Sequence, residues 1–346
     1  MKKFFIVLIS VFCLGIVSAQ KKQYQQHTVV FYNAENLFDT IKDARKFDQE
    51  FTPESKKRWN TEKYHQKINK IAQVLSSIHT PEQPQTLPTI IGLCEIENQQ
   101  VLQDLVSHPS LKSNNYQVIH FDSPDLRGID VALLYQKSHF YPTQISKHPL
   151  MLYKENGKRL YTRDQLLVTG LLENEEIHVL VNHWPSRFGG EKKSMPNRLA
   201  AAKLNRTLID SLLNINSQAK IITMGDFNDG PKDPSITRVL QANSLNKVKQ
   251  NMQILFNPMH AISTEQGLGT LAYNDVWELF DQIIFSPSFL SKNYQTWQFR
   301  YAQIANLPFL VQTTGKYKGY PLRSNTEKAG YSDHFPVYAV LIKEIN

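Results

Sequence analysis

Short apolar runs rich in β-branched residues recur along the whole chain, and each has the length of a β-strand. The runs are 28–32, 89–93, 131–135, 166–171, 177–181, 221–224, 282–285 and 337–342. Their length and composition predict strands that bury at least one face. Strands therefore dominate the predicted fold.

Two segments between these runs have the apolar spacing of amphipathic helices instead. The first begins near Thr61 and the second follows Pro196; their apolar positions are Ile68, Ile71, Leu75 and Ile78, and Leu199, Leu204, Leu208 and Leu212. Helices do not separate every pair of strands. The pattern favours an α/β fold with two packed mixed sheets flanked by helices over one doubly wound sheet.

Three segments are polar and poorly periodic: 39–60, 246–275 and 315–331. They are predicted to be long loops, which in a compact domain are usually functional or mobile. The sequence contains no internal repeat and no Pro/Gly/Ser-rich linker, so residues 20–346 are interpreted as one domain.

The first nineteen residues have the features of a signal peptide. A basic start at Met1-Lys2-Lys3 precedes an apolar stretch, and Val17-Ser18-Ala19 supplies the small residues of a cleavage site. The prediction is export to the periplasm or the extracellular space, with an uncleaved membrane anchor as the alternative.

Charge and cysteine content limit the possibilities further. Loss of Lys2 and Lys3 lowers the formal net charge from +8 to +6, which suits an anionic partner but is also ordinary for a soluble protein. Cys94 would be the one cysteine left after cleavage, so an intrachain disulfide is excluded for the mature chain.

Carboxylate, amide and imidazole side chains cluster where the apolar runs end. They are Asn33 and Glu35, Glu95, Asn182 and His183, Asp226 and Asn228, and, at the start of the last run, Asp333 and His334. Such groups are costly to bury without a partner. Strand ends that meet at one edge of a sheet are the usual place for a site, here one for a metal and a phosphate.

Glu35, Glu95 and Asp333 are the candidate metal ligands. Carboxylate oxygens suit Mg²⁺, Mn²⁺ or Ca²⁺, and the chain has no Cys or His cluster at zinc-finger spacing. Considered singly, Glu35 or Glu95 is explained better by a salt bridge at a strand end, and only their place in the whole set favours metal binding.

Asp226 and His334 are the candidates for proton transfer. Asp226 can position water while Asn228 donates to a phosphate oxygen, although an Asx-turn explains the same pair. His334 can act near neutral pH if a carboxylate fixes its tautomer, and Asp281 at the start of another strand is the candidate for that.

Two basic segments are candidates for holding phosphate. Arg127 precedes a strand together with Asp130, which could orient it, and a surface turn is the alternative. The segment 184–193 combines aromatic rings, a Gly pair and cations, including Arg187; it could hold phosphate and stack a base, or form a solvated loop with two buried rings.

Taken in order, these motifs resemble the endonuclease/exonuclease/phosphatase superfamily. The matching segments are Asn33-x-Glu35, Glu95, Asn182-His183, Gly225-Asp226-x-Asn228, Asp281 and Ser332-Asp333-His334. Asn182-His183-Trp184 followed by Ser186-Arg187 is similar to the variant in secreted bacterial nucleases of that superfamily. The resemblance covers nearly the whole chain from Thr28 to Val340.

The resemblance implies a four-layer α/β sandwich with its site at one end. It implies that Glu95 is the principal metal ligand, with Asn33, Glu35 and Asp333 nearby, and that His334 acts as general base or transition-state stabiliser. Asp226 and Asn228 would position water and phosphate oxygens, and His183 would stabilise charge or protonate the leaving group. Asn182, Arg127 and Arg187 are the candidates for contacting substrate.

The sequence departs from the superfamily pattern at two points. Glu35 replaces a common aspartate, and Leu279 stands where many relatives have an arginine, two residues before Asp281. No carboxylate supporting His183 can be identified from the sequence.

Three functions fit this pattern. The favoured one is an exported, metal-dependent nuclease with nucleic acid as its substrate. The second is a phosphatase or phospholipase C acting on a phosphorylated small molecule or lipid. A sphingomyelinase-like enzyme would need an exposed aromatic or apolar hairpin, and the best candidates, Trp277 and 307–310, are predicted to be core. The third is a non-catalytic protein that binds a phosphorylated ligand.

Overall fold

The computed structural model describes residues 22–325 and 328–345 of the chain. The predicted signal peptide, residues 1–19, lies outside the described residues. The described strands are β1 (Gln23–Leu37), β2 (Ile90–Ile96), β3 (Tyr116–His120), β4 (Asp130–Gln136), β5 (Phe140–His148), β6 (Leu152–Tyr153), β7 (Arg159–Leu160), β8 (Gln165–Leu172), β9 (Glu175–His183), β10 (Lys220–Asp226), β11 (Ala242–Asn243), β12 (Leu255–Phe256), β13 (Leu271–Tyr273), β14 (Val276–Glu278), β15 (Asp281–Phe285), β16 (Gln298–Ile304) and β17 (Val337–Ile345). The helices are α1 (Thr61–Ser77), α2 (Gln99–Val106), α3 (Pro109–Lys112), α4 (Glu191–Ile215), α5 (Leu245–Gln250) and α6 (Met259–Glu265).

The long strands form two mixed sheets. Sheet 1 has the order β16-β17-β1-β2-β4-β3, and sheet 2 has the order β11-β12-β15-β10-β9-β8-β5. The central pairs are parallel, β1 with β2 in sheet 1 and β9 with β10 in sheet 2, and their outer neighbours run antiparallel. The polar residues at the ends of β1, β2, β9 and β10 therefore come from two different sheets.

The side chains of β1 alternate between two apolar layers. Val29 and Phe31 point into the core between the two sheets, while Val30 and Tyr32 pack under helices α1 to α3. A third apolar cluster joins the other face of sheet 2 to α4. The result is the predicted four-layer sandwich of helices, sheet, sheet and helices.

All eight predicted strands are present, and α1 begins at Thr61 as expected. The second predicted helix begins earlier, at Glu191, so Pro196 lies inside α4. Pro196 is the sixth residue of α4, beyond the first turn, so the helix lacks the hydrogen bond that a backbone N–H at this position would donate to the Lys192 carbonyl. The prediction of an unstructured 246–275 was wrong, because α5, α6 and short strands occupy it.

Among residues 22–325 and 328–345, no helix combines the length and apolar character that crossing a membrane requires.

Candidate active site

The polar strand-end residues converge because irregular backbone turns their side chains toward one end of the sandwich. Glu35, Glu95 and Asn228 have φ values of 49°, 60° and 51°. The pairing register shifts between Asn33 and Leu37 on β1, and at Glu95 on β2. Left-handed backbone is uncommon for residues with a side chain and concentrates at functional sites. At these strand ends the backbone departs from regular strand pairing, and this directs the polar side chains toward the site.

Asp226 lies at the centre of the converging groups. Its Oδ1 accepts a hydrogen bond from the Asn228 backbone N–H at 2.9 Å, and its Oδ2 accepts one from Asn33 Nδ2 at 3.1 Å. The Nε2 atoms of His183 and His334 lie 3.7 Å and 3.9 Å from the same Oδ2. Burial raises the pKa of Asp226 to about 6, although the charge of His334 acts to lower it. The Asx-turn considered for this segment is present, and it leaves Oδ2 facing the site.

His334 and Asp281 form a buried pair. His334 Nδ1 lies 2.6 Å from Asp281 Oδ2, so the carboxylate holds the imidazole with Nε2 directed toward Asp226. Burial alone would lower the pKa of His334, but the charge of Asp281, its hydrogen bond and the charge of Asp226 raise it well above the ordinary value. The structure thus pairs these two residues in the arrangement expected from the sequence.

His183 faces Asp226 from β9 without a carboxylate behind it. Its Nε2 lies 4.0 Å from Glu95 Oε1, and its buried Nδ1 has no hydrogen-bond partner. Burial, followed by the charges of Arg163 and Arg127, lowers the pKa of His183 well below the ordinary value. The imidazole is therefore neutral at neutral pH.

Glu35 and Asp333 flank the site and share one cation. The guanidinium of Arg323 lies 3.3 Å from Glu35 Oε1 and 3.3 Å from Asp333 Oδ2. The buried ammonium of Lys67 lies 3.4 Å from Glu35 Oε2 and donates to the Tyr331 carbonyl at 2.8 Å. The space between these carboxylates therefore favours positive charge.

Glu95 lies nearby on the bulge of β2, with its side chain 14% exposed. Its Oε2 accepts a hydrogen bond from the Asn36 backbone N–H at 3.0 Å, which leaves Oε1 toward His183. Burial raises the pKa of Glu95, and the charge of Arg127 opposes that rise. A carboxylate in this state gains from a nearby cation.

Two further groups of possible ligand atoms meet within 4.8 Å around Asp226. One contains Cys94 and His183, and the other contains Asp281 and His334. Burial raises the pKa of the Cys94 thiol well above the ordinary value, so this thiol is not a thiolate ligand. The remaining donors are oxygens and imidazoles, and the carboxylates among them fit a hard divalent cation.

Asn182 corrects one prediction. Its side chain has no exposed surface, and its amide contacts Thr223, Met224, Trp184 and Asn205. It therefore holds β9 against β10 and α4 and does not contact substrate. Gly225 lies beside it because a Cβ there would come within 2.5 Å of the Asn182 carbonyl oxygen.

Arg187 is held by the protein's own carboxylates. Its guanidinium lies 2.8 Å from Asp233 and 3.2 Å from Asp229, and its Nε donates to the Asn228 carbonyl at 3.0 Å. Arg187 therefore holds the Asn228 turn. Its guanidinium is paired with carboxylates of the protein, whereas the prediction was a contact with substrate.

Arg127 is half exposed beside the site, and the residue that orients it differs from the one expected. Asp125 accepts from the Arg127 backbone N–H at 2.9 Å and lies 3.9 Å from its Nε. Asp130 instead contacts Ser123 and His120. Arg127 keeps guanidinium donors for an anion.

Three basic residues near the site are not predicted from the sequence: Lys67, Arg163 and Arg323. Lys67 occupies the apolar face of α1, three residues after Tyr64 and four before Ile71, a pattern that signals a buried cation. Arg163 donates to the His183 carbonyl at 3.2 Å and to Asp125 at 3.1 Å, and thereby fixes the end of β9. Arg163 and Arg323 carry no local signal, because their partners are far away in sequence.

The hairpin β13–β14 corrects a further expectation. Trp277 is 40% exposed, not buried, and Tyr273 and Val276 beside it are 73% and 57% exposed. The hairpin lies next to the site, since Trp277 packs on Phe335 and Thr270 accepts the Phe335 backbone N–H. In the loop after His183, Trp184 is buried but Phe188 is 93% exposed.

The sequence model of the endonuclease/exonuclease/phosphatase family matches residues 28–343. The chain belongs to this family. Members of the family are hydrolases that act on phosphoester bonds, and they generally use divalent metals. A comparison with curated proteins finds no match.

Solved structures show the same fold across this family. An endonuclease/exonuclease/phosphatase family protein from Bacteroides thetaiotaomicron is 16% identical, with a TM-score of 0.57 over 94% of this chain and 100% of its own. TDP2 from Caenorhabditis elegans is 14% identical, with a TM-score of 0.56 over 92% of this chain and 74% of its own. The human Nocturnin catalytic domain is 15% identical, with a TM-score of 0.50 over 94% of this chain and 98% of its own.

Proposed function

We propose that this member of the endonuclease/exonuclease/phosphatase family is an exported, divalent-metal-dependent phosphodiesterase that hydrolyses DNA, RNA or both. The observation that carries the proposal is the His334–Asp281 pair facing Asp226, beside the partly buried Glu95. Such a cluster combines a fixed imidazole, a buried carboxylate of raised pKa and a cation-favouring surface.

The ion proposed is Mg²⁺, with Mn²⁺ or Ca²⁺ as alternatives, and Glu95, Glu35, Asp333 and Asn33 are the residues that would hold it. Arg323 already bridges two of these carboxylates, which supports the fit of a cation there. When bound, a divalent cation polarises a non-bridging phosphate oxygen and stabilises the leaving oxyanion.

The protein groups supply orientation and proton transfer. Asp226 Oδ2 accepts one hydrogen bond, from Asn33 Nδ2, and keeps a second lone pair with which it could orient an attacking water or accept its proton, while Oδ1 is held by the Asn228 turn. His334 Nε2 would stabilise the charge that develops on phosphate, with Asp281 holding its ring. The neutral His183 is placed to donate a hydrogen bond through Nε2.

A nucleic acid substrate is supported by the surface around this cluster. Arg127 offers a half-exposed guanidinium, Phe188 is an exposed ring in the loop that follows His183, and Tyr273 is an exposed ring of the hairpin β13–β14. Arginine binds phosphate, and exposed rings stack bases without sequence preference. The formal net charge of +6 expected after signal-peptide removal adds attraction for a polyanion.

One observation favours a second candidate, a lipid phosphodiesterase of the sphingomyelinase type. The hairpin β13–β14 exposes Tyr273, Val276 and Trp277 at its tip and flank, next to the site. Aromatic and apolar side chains of this kind can dock on a membrane surface.

The test is hydrolysis by purified residues 20–346 of supercoiled plasmid, single-stranded RNA and sphingomyelin vesicles. Each is assayed with Mg²⁺, Mn²⁺, Ca²⁺ or EDTA, and with the His334→Ala variant beside His178→Gln as a buried histidine away from the site. Metal-dependent cleavage of nucleic acid that only His334→Ala abolishes supports the nuclease.

Release of phosphocholine without cleavage of nucleic acid would transfer the proposal to the lipid enzyme. In that case Trp277→Ala should weaken activity on vesicles while sparing a soluble phosphodiester. Binding of a phosphorylated ligand without turnover of any substrate would contradict both proposals in favour of a non-catalytic binding protein.

A further inference from the structure

Three potential metal ligands meet at the other end of the sandwich, away from the proposed active site. His27 Nε2 lies 3.3 Å from Glu173 Oε1, and His139 Nδ1 lies 2.6 Å from the same oxygen. These three ligand atoms all lie within 4.8 Å of one another. Two ligands of a tetrahedral zinc ion are about 3.3 Å apart, given bond lengths of about 2.0–2.1 Å.

The side chains of this cluster are oriented for binding a cation. His27 is 5% exposed, and its Nδ1 lies 2.6 Å from Thr89 Oγ1, which leaves Nε2 directed at Glu173. A bond of this kind, from the second ring nitrogen to a fixed oxygen, orients histidine ligands in metal sites. Among the described residues, Glu173 has no Lys or Arg partner, and its ion-pair contacts are the two imidazoles.

Both ring nitrogens that would bind the ion, His27 Nε2 and His139 Nδ1, face the same oxygen, Oε1 of Glu173. His139 and Glu173 are partly exposed, so an ion can enter from solvent.

The ligands come from separate parts of the fold. His27 lies on β1 in sheet 1, His139 lies on the crossover from β4 to β5, and Glu173 lies in the hairpin between β8 and β9 of sheet 2. His27 is six residues before Asn33 on β1, which places the cluster roughly 20 Å from the proposed active site at about 3.3 Å per residue.

We propose that His27, His139 and Glu173 bind one Zn²⁺ that ties the two sheets together. A set of two imidazoles and one carboxylate suits zinc better than it suits Mg²⁺ or Ca²⁺. The fourth position would be taken by water or by the Gln25 amide oxygen after rotation of that amide, since the Gln25 amide nitrogen lies 3.4 Å from His27 Nε2. The site is structural and does not depend on the proposed phosphodiesterase activity.

The experiment measures zinc bound to metal-stripped residues 20–346 in excess Mg²⁺, by elemental analysis and by competition with a chromophoric chelator. We expect Glu173→Gln and His139→Asn each to bind one zinc fewer per chain than the wild type. Thr89→Val, which removes the contact to His27, should weaken zinc binding by about 10-fold. Zinc should raise the melting temperature of the wild type but not of Glu173→Gln.

The control is His65→Asn, which removes an exposed histidine of α1 and should bind zinc like the wild type. His139 and Glu173 lie at turns, so their variants keep the core of the fold. Equal zinc content and equal thermal shifts in the wild type, Glu173→Gln and His139→Asn would overturn the proposal, whatever the enzymatic activity proves to be.

Discussion

Asp226 carries an electrostatic conflict that should be visible in the pH dependence of stability. Burial raises the pKa of Asp226 from the ordinary value of 3.8 to about 6, so between these values the folded state holds a proton that the unfolded state releases. The free energy of unfolding therefore falls as the pH rises through this window. A shift of this size corresponds to roughly 3 kcal/mol at neutral pH.

Asp226→Asn should remove that dependence. In EDTA, the melting temperature of the variant relative to the wild type is expected to rise between pH 4.5 and pH 7.5, while hydrolysis is lost. The measurement is thermal unfolding at both pH values, with exposed Asp122→Asn as the control. A constant difference between Asp226→Asn and the wild type would show that the carboxylate is not strained by burial.

His334 depends on Asp281 for its orientation and its charge. Replacing Asp281 by Asn keeps the shape but removes the charge that holds His334 Nδ1 at 2.6 Å. We expect kcat/KM to fall by at least about 10²-fold in Asp281→Asn and in His334→Ala. Steady-state kinetics on whichever substrate the hydrolysis assay shows to be cleaved checks this.

His178→Gln serves as its control, because His178 is also a buried strand histidine but pairs with Thr169. Near-wild-type rates in Asp281→Asn would remove the pair from the mechanism. The same fall in all three variants would indicate damage to the fold instead.

At the scale of elements, α1 holds the segment before β17 in place through one buried lysine. Lys67 has no exposed surface and contacts Glu35 and the Tyr331 carbonyl. Lys67→Met should lower the free energy of unfolding by about 3–5 kcal/mol, because Glu35 is left buried with only the exposed Arg323 as its cation. Urea unfolding measures the loss.

A double-mutant cycle separates the ion pair from simple packing. In a Glu35→Gln background the cost of Lys67→Met should be smaller by about 1 kcal/mol or more. Additive effects of the two substitutions would mean that Lys67 acts through the Tyr331 carbonyl alone.

The extent to which the sequence predicted these elements follows from how local each signal is. Strand periodicity and the polar groups at strand ends are local, so the sandwich and the positions of Asp226 and His334 could be predicted. The partners of Lys67, Arg163 and Arg187 lie tens to hundreds of residues away, so their contacts could not. The prediction of a buried Trp277 is wrong, because apolar content alone cannot distinguish a buried strand from an exposed hairpin.

For the whole molecule, the proposed site exists only while both sheets are docked. Asn33 and Glu95 belong to sheet 1, whereas Asp226 and Asp281 belong to sheet 2, and the apolar layer between the sheets fixes their separation. Phe31→Ala in that layer should cost about 3–5 kcal/mol. The urea midpoints of activity and of fluorescence should fall together.

Exposed Tyr141→Ala is the control for Phe31→Ala and should leave both midpoints nearly unchanged. Loss of activity at a lower urea concentration than loss of fluorescence would show that the site opens before the sheets separate.

Cys94 gives the protein a built-in reporter of that separation. Its thiol points into the layer between the sheets, has no exposed surface, and is the one cysteine among the described residues. A thiol reagent can reach it only when the sandwich opens, so the labelling rate measures the opening equilibrium in the native protein. The rate at which the buried cysteine is modified thus reports how often the two sheets separate in the native protein.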